Sequence, residues 1–175
     1  MKLIIFILDF KNIYHNHKKM VYNLVLSYVQ NTQDAEEIMQ DIFLSIYEKL
    51  STFQNKSNLR TWIYRITINK SLDFIKSKKA KKRFGYFISF SEENSVTYEP
   101  VNYDHPGILL ENKEEMEQLF SLINQLNDNQ KTVIILNKIE QKSLKEIAEI
   151  MNISEKAVES TLQRAKQNLK TKGNF

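Results

Sequence analysis

Three glycines and two prolines in 175 residues leave this chain almost without the residues that make tight turns. At ordinary usage, ~7% Gly and ~5% Pro, a chain of this length would carry roughly 21 of the two together. β-Sandwiches and barrels need a turn signal every few residues, so this composition excludes them. Helices with few connections do not, and an all-α fold is expected. Gly85, Gly107 and Gly173 also stand too far apart to form a G-x-G-x-x-G turn or a phosphate-cradling loop, which removes the commonest dehydrogenase, kinase and ATPase classes.

Other absences narrow the field further. With no cysteine there is no disulfide framework, Fe–S cluster or Cys-based zinc site. The one strongly apolar run, Leu3–Leu8 (LIIFIL), is far short of the ~20 residues that cross a bilayer, and no small-residue cleavage site follows it. A soluble, cytoplasmic protein without direct membrane insertion is expected. His15 and His17, two apart on a helix, point in different directions, so no metal site is expected. The histidines and carboxylates show no catalytic spacing, and no catalytic residue is assigned.

Charge divides the chain. Residues 1–90 hold 15 Lys/Arg against 7 Asp/Glu, residues 91–110 hold four acids (Glu92, Glu93, Glu99, Asp104) and no base, and residues 111–175 hold ten of each sign. Six of the eight positions in Lys76–Arg83 (KSKKAKKR) are basic, a density suited to phosphate contact or to a solvated helix tail. Residues 84–110 lack helical periodicity and carry Gly85, Pro100, Pro106 and Gly107. A connection longer than ~12 to 15 residues is usually a linker or functional. The expected organisation is therefore two small helical domains, 1–83 and 111–175, joined by a flexible acidic linker over 84–110.

In the first domain, Ile13, His17, Met20/Val21, Leu24 and Tyr28 share a face over Phe10–Tyr28. A clearer helix follows, with Asp34 as its expected cap and Glu37 three residues on. Ala35, Ile38, Met39, Ile42, Phe43, Ile46, Tyr47 and Leu50 form its buried stripe. The opposite face carries Glu37, Gln40, Asp41, Leu44 and Glu48. That row is either a solvated surface with one exposed leucine or a docking face for a basic, partly apolar partner.

After a polar loop, Leu59–Lys76 carries two apolar stripes, one of Leu59, Trp62/Ile63 and Ile66, the other of Tyr64, Ile68, Leu72 and Ile75. Such a helix is central to its domain or contacts something besides its own core. Its basic and aromatic mixture suits nucleic acid, although Trp62 also fits a core position.

The second domain holds the more specific pattern. A helix around Asn112–Leu126 and another over Gln130–Ile139, capped by Asn127/Asp128, precede Ser143–Leu169 (SLKEIAEIMNISEKAVESTLQRAKQNL). Ser143 and Glu146 form a capping box, with Ile147, Ala148 and Met151 facing inward. Asn152 supplies the turn, where a positive φ is needed, and Ser154 caps a second helix with Val158, Leu162, Ala165 and Leu169 inside. This is a helix-turn-helix. Its second helix would present Glu155, Lys156, Glu159, Ser160, Gln163 and Arg164 to a major groove, where Arg164 and Lys156 can reach guanine or phosphate and Gln163 can read adenine.

Three stretches in this order resemble the extracytoplasmic-function (ECF) group of RNA polymerase sigma factors. They are DAEEIMQDIFLSIYEKL (Asp34–Leu50), FQNKSNLRTWIYRITINKSLDFIKSKKAKKR (Phe53–Arg83) and LKEIAEIMNISEKAVESTLQRAKQNL (Leu144–Leu169). The resemblance implies a non-enzymatic transcription initiation factor that needs no cofactor. Its partners would be core RNA polymerase, through the β′ clamp helices and β flap, and promoter DNA, with an anti-sigma protein as a further candidate.

By the same likeness, Asp34, Glu37, Gln40, Asp41 and Leu44 become the polymerase-docking surface. Phe53, Asn55, Lys56, Arg60, Arg65, Asn69 and Lys76 would serve the minus-10 element and melting, the loop Phe53–Asn58 capturing a flipped base. Lys156, Ser160, Gln163 and Arg164 would serve minus-35, and the acidic linker would enter the RNA channel. Departures from the family pattern are Asn127 in place of Pro after Leu126, Asn152 in place of the usual Gly, and Ala157-Val158-Glu159 in place of Thr-Val-Lys. A stand-alone helix-turn-helix regulator is the alternative.

Overall fold

The computed structural model describes residues 2–53, 57–88 and 113–173, with side chains at 9–53, 57–81 and 116–172. Among these residues every regular element is helical. In chain order they are α1 (Lys2–Val29), α2 (Thr32–Leu50), α3 (Leu59–Ile88), α4 (Lys113–Asn124), α5 (Asp128–Ile134), a π-helical stretch (Ile135–Ile139), α6 (Leu144–Met151) and α7 (Glu155–Gly173).

Helix α1 is longer than its apolar periodicity indicates, running from Lys2 through the LIIFIL segment without a break. At its other end Gln30 turns the chain at φ 57, and Asn31, extended at φ −140, caps α2 by accepting from the Asp34 backbone N–H at 2.8 Å. The expected cap at Asp34 is thus corrected: only Asn31 has the extended backbone that lets a side-chain oxygen reach back to that N–H. Asp34 sits inside the first turn, where its charge still complements the helix dipole. Its carboxylate accepts from Lys78 Nζ of α3 at 2.5 Å.

The buried stripe of α2 is largely as expected: Ala35, Ile38, Ile42, Phe43 and Ile46 pack against Val21, Val25, Ile63 and Ile66 of α1 and α3. Tyr47 is 38% exposed and lies at the rim, edge-on to Phe10. The basic run after Lys76 continues α3 as helix to Ile88, so the expected linker begins inside a helix. Residues 89–110 of that linker lie outside the described residues.

The second core belongs to α4–α7, with Phe120, Ile123, Val133, Ile135, Leu136, Ile147, Val158 and Ala165 buried together. It does not stop at the C-terminal helices. Leu24 and Tyr28 of α1 and Tyr64 and Ile68 of α3 belong to the same cluster, with Leu72 and Ile75 packed at its edge. The two apolar stripes of α3 are thereby explained. Leu59, Trp62, Ile63 and Ile66 complete the N-terminal core, while Tyr64, Ile68, Leu72 and Ile75 face the C-terminal unit.

Candidate polymerase and nucleic-acid interface

On the outer face of α2, Glu37, Gln40, Asp41 and Leu44 are all exposed. Leu44 is 57% exposed, the most of any large apolar side chain among the described residues. Asp34 differs from them, being half-buried and ion-paired to Lys78. Beside this row, Tyr14 of α1 leans edge-on against Phe43 with ring centroids 4.7 Å apart, and Lys18 lies over the Tyr14 ring. The face therefore combines carboxylates, an exposed leucine and an aromatic rim, which suits a partner surface that is basic and partly apolar.

At the start of α3, Asn58 Oδ1 accepts from the Arg60 N–H, fixing the loop-to-helix turn. Phe53 packs against Trp62 with centroids 4.9 Å apart, so the loop is anchored on the helix by two rings. Trp62 is half-buried at the edge of the N-terminal core, in keeping with a core role. Asn55 and Lys56 lie outside the described residues. Arg60 is exposed, and its charge, after burial itself, holds the His17 pKa below the usual value.

The remaining minus-10 candidates turn toward the C-terminal unit. Arg65 donates from Nε to the Ile150 carbonyl at 3.0 Å and from Nη2 to the Glu149 carbonyl at 2.6 Å, at the C-terminal end of α6. Lys76 pairs with Asp128 at 2.9 Å. Asn69 is exposed yet lines, with Arg65, Ile68, Leu72, Thr132, Met151 and Asn152, a cavity of about 380 Å³ where the two units meet.

The helix-turn-helix forms as its spacing requires. Ser143 N–H and Oγ each donate to Glu146 Oε2 at 2.9 Å, and the Glu146 N–H donates back to Ser143 Oγ. The backbone hydrogen bond from Ser143, then those from Lys142 and the Ser143 hydroxyl, hold the Glu146 carboxyl down at about 2. Asn152 closes α6 in the left-handed region, φ 55 and ψ 47, and the Ile153 N–H donates to the Ala148 carbonyl. Ser154 Oγ accepts from the Ala157 N–H to open α7.

Val158, Leu162 and Ala165 are buried beneath α7. On its outer side Lys156, Gln163 and Arg164 are exposed and Ser160 is half-buried, with exposed Glu155 and Glu159 among them. Among the described residues no three His, Asp or Glu side chains converge as metal ligands, and no helix is long and apolar enough to cross a membrane.

One group of buried polar residues was not singled out from the sequence. Lys131, 4% exposed, donates to the Tyr28 carbonyl at 3.0 Å and to Asn124 Oδ1 at 2.7 Å, with its ammonium over the Tyr28 ring. Tyr28 Oη donates to Thr132 Oγ1 at 2.9 Å, and Gln30 and Asn124 exchange amide hydrogen bonds at 2.8 and 3.3 Å. Burial pushes the Tyr28 hydroxyl pKa up and brings Lys131 down to about 8. A lysine inside the apolar run QKTVIIL (Gln130–Leu136) is the one sequence signal that points to this group.

A helix-turn-helix with an exposed outer face, attached to a basic helical unit whose second helix carries an exposed acidic and apolar row, fits the class of DNA-binding transcription factors. Residues 13–81 match the family profile described as Sigma-70 region 2, and residues 116–169 that of Sigma-70, region 4. The chain is 30% identical over 165 residues to the ECF RNA polymerase sigma factor SigW of Bacillus subtilis (strain 168), covering 92% of this chain and 87% of the relative. It is 27% identical over 160 residues to the RNA polymerase sigma factor YlaC of the same organism, covering 91% and 89%.

The fold is shared with the sigma factor RpoE solved with the anti-sigma factor NepR from Bartonella quintana, at 22% identity and TM-score 0.63, covering 93% of this chain and 95% of that one. It is also shared with CnrH solved with the cytosolic domain of CnrY, at 21% identity and TM-score 0.65, covering 94% and 87%. The chain belongs to the ECF sigma factors, the transcription initiation factors that direct RNA polymerase to promoters.

Proposed function

We propose that this sigma factor docks on the β′ clamp helices of core RNA polymerase through the α2 face of Glu37, Gln40, Asp41 and Leu44. Asp34 stands at its edge, tied to Lys78. The observation that carries the assignment is the exposure of Leu44, 57%, in an acidic row whose opposite face, through Ala35, Ile38, Ile42, Phe43 and Ile46, is built into the core. An apolar side chain so placed gains by covering, and the carboxylates around it select a basic partner.

Residues 1–83 then act as the docking, minus-10 and melting domain, 84–110 as the acidic linker in the RNA channel, and 111–175 as the minus-35 domain that also meets the β flap. Phe53, Asn55, Lys56, Arg60, Arg65, Asn69 and Lys76 hold the opened strand, and Lys156, Ser160, Gln163 and Arg164 read the upstream element from the major groove. Promoter melting here is driven by binding energy, without a catalytic group or cofactor. The factor acts in the cytoplasm, where polymerase is, and an anti-sigma protein is its natural regulator, a reading supported by the neighbour RpoE, which is solved with the anti-sigma factor NepR.

The test is co-purification of the chain with core polymerase. Leu44→Asp is expected to abolish the complex while leaving helicity and thermal unfolding unchanged. Undiminished binding by this variant contradicts the docking assignment.

A further inference from the structure

Two carboxylates, Glu155 and Glu159, stand on the outer side of α7 among the exposed Lys156, Gln163 and Arg164. Glu155 has a local reason to be there, because it lies in the first turn, where an acid complements the helix dipole. Glu159 does not. It lies in the second turn, beyond most of that effect, and four residues from Glu155, a like-charge spacing that weakens a helix slightly. Among the described residues it makes no ion pair or side-chain hydrogen bond, not even with Lys156 three residues back.

DNA makes the position more demanding still. A duplex carries one negative charge per ~1.7 Å of its axis, so a carboxylate on a reading helix is repelled unless a base edge gives it a hydrogen bond. Two groups in the major groove can donate one, the cytosine N4 and adenine N6 amino groups. Adenine sets its amino group beside the N7 acceptor, a pair that matches an amide such as Gln163 and repels the second oxygen of a carboxylate. Cytosine presents its donor with no acceptor of its own.

Resting on the functional assignment above, we propose that Glu159 is a specificity-determining residue that accepts a hydrogen bond from a cytosine amino group in the minus-35 element. It selects by exclusion as well as by attraction. Guanine N7 and O6 and thymine O4 are acceptors, and each sets a partial negative charge against the carboxylate. The cost that Glu159 imposes on α7 and on phosphate attraction is thereby recovered at one base pair and at no other.

The experiment reconstitutes holoenzyme from core polymerase and the full-length chain, and sequences the transcripts made from a promoter library randomised over the minus-35 element. Wild type, Glu159→Ala and Glu159→Gln are compared, with circular dichroism to check that both variants fold as the wild type does. The wild type should enrich cytosine at one base pair. Glu159→Ala should reduce that preference about tenfold at that pair alone, and Glu159→Gln should shift it toward adenine.

A wild-type element without a fixed cytosine, or a cytosine preference that survives Glu159→Ala, overturns the proposal. So does a gain by Glu159→Ala that is uniform across all sequences, which would make Glu159 a repulsive charge and nothing more. In each of these cases an enriched upstream element still supports the minus-35 assignment. If no upstream element is enriched, that assignment falls and the proposal falls with it.

Discussion

Asn152 shows how a single residue sets the geometry of a site. With φ 55 it occupies the left-handed region, and it does so where a sequence this poor in glycine had to use another residue. Asparagine tolerates that region better than other non-glycine residues because its short side chain bonds locally. Gln30 and Gln141, at φ 57 and 52, make comparable turns without even that help.

Asn152→Gly is therefore expected to leave the C-terminal unit about as stable as before, and Asn152→Val to cost about 1–2 kcal/mol, since a β-branched residue is least compatible with positive φ. Urea unfolding followed by circular dichroism distinguishes the two, and equal losses would show that the side chain rather than the backbone matters. The turn was readable from sequence because its requirements are local, all met within Ala148–Val158. Lys131 was not, because its acceptor, the Tyr28 carbonyl, is 103 residues away, and the apolar run around the lysine does not name that partner.

At the scale of elements, capping explains which boundaries could be foreseen. The Ser143–Glu146 box was visible because both partners lie within one turn. The α2 cap was displaced from Asp34 to Asn31 because two acceptor residues stood close together and only backbone geometry chose between them. Ser143→Ala should cost the C-terminal unit about 1 kcal/mol.

The box also has an acid signature. The Glu146 carboxyl is held at about 2, below its ordinary 4.5, so its contribution is present above pH 4.5 and fades as pH falls toward 2. Melting of the wild type and of Glu146→Gln should differ above pH 4.5 and converge near pH 2. A constant difference across that range would assign the effect to something other than the carboxylate. The two stripes of α3 were likewise plain in the sequence, which left the helix either central to its domain or in contact with something besides its own core. Which partner takes the Tyr64 stripe was not, because apolar spacing identifies a buried face without naming what buries it.

For the whole molecule, the contact between units adds a titration. Burial, with Lys79 of α3 adding to it and Asp128 of its own helix opposing, lowers Lys131 to about 8 from 10.5, with Tyr28 of α1 covering the ammonium. Below pH 8 the lysine is charged whether the chain is folded or unfolded, and the folded chain carries the full cost of burying that charge. From pH 8 to 10.5 the cost is relieved, so this group's contribution to stability should improve as pH rises. Thermal melting followed over that window should show the gain, and Lys131→Met should flatten the response. An unchanged response in that variant would place the titration elsewhere.

The promoter-directing role requires that this chain select promoters only as part of a polymerase complex. The most direct measurement is binding of the full-length factor to promoter duplexes with and without core polymerase, followed by transcription from the bound set. Weak, unselective binding by the factor alone is expected, with promoter-specific complexes and transcripts once core is added. Tight, specific binding to duplex DNA that core neither improves nor converts to transcript would contradict that role.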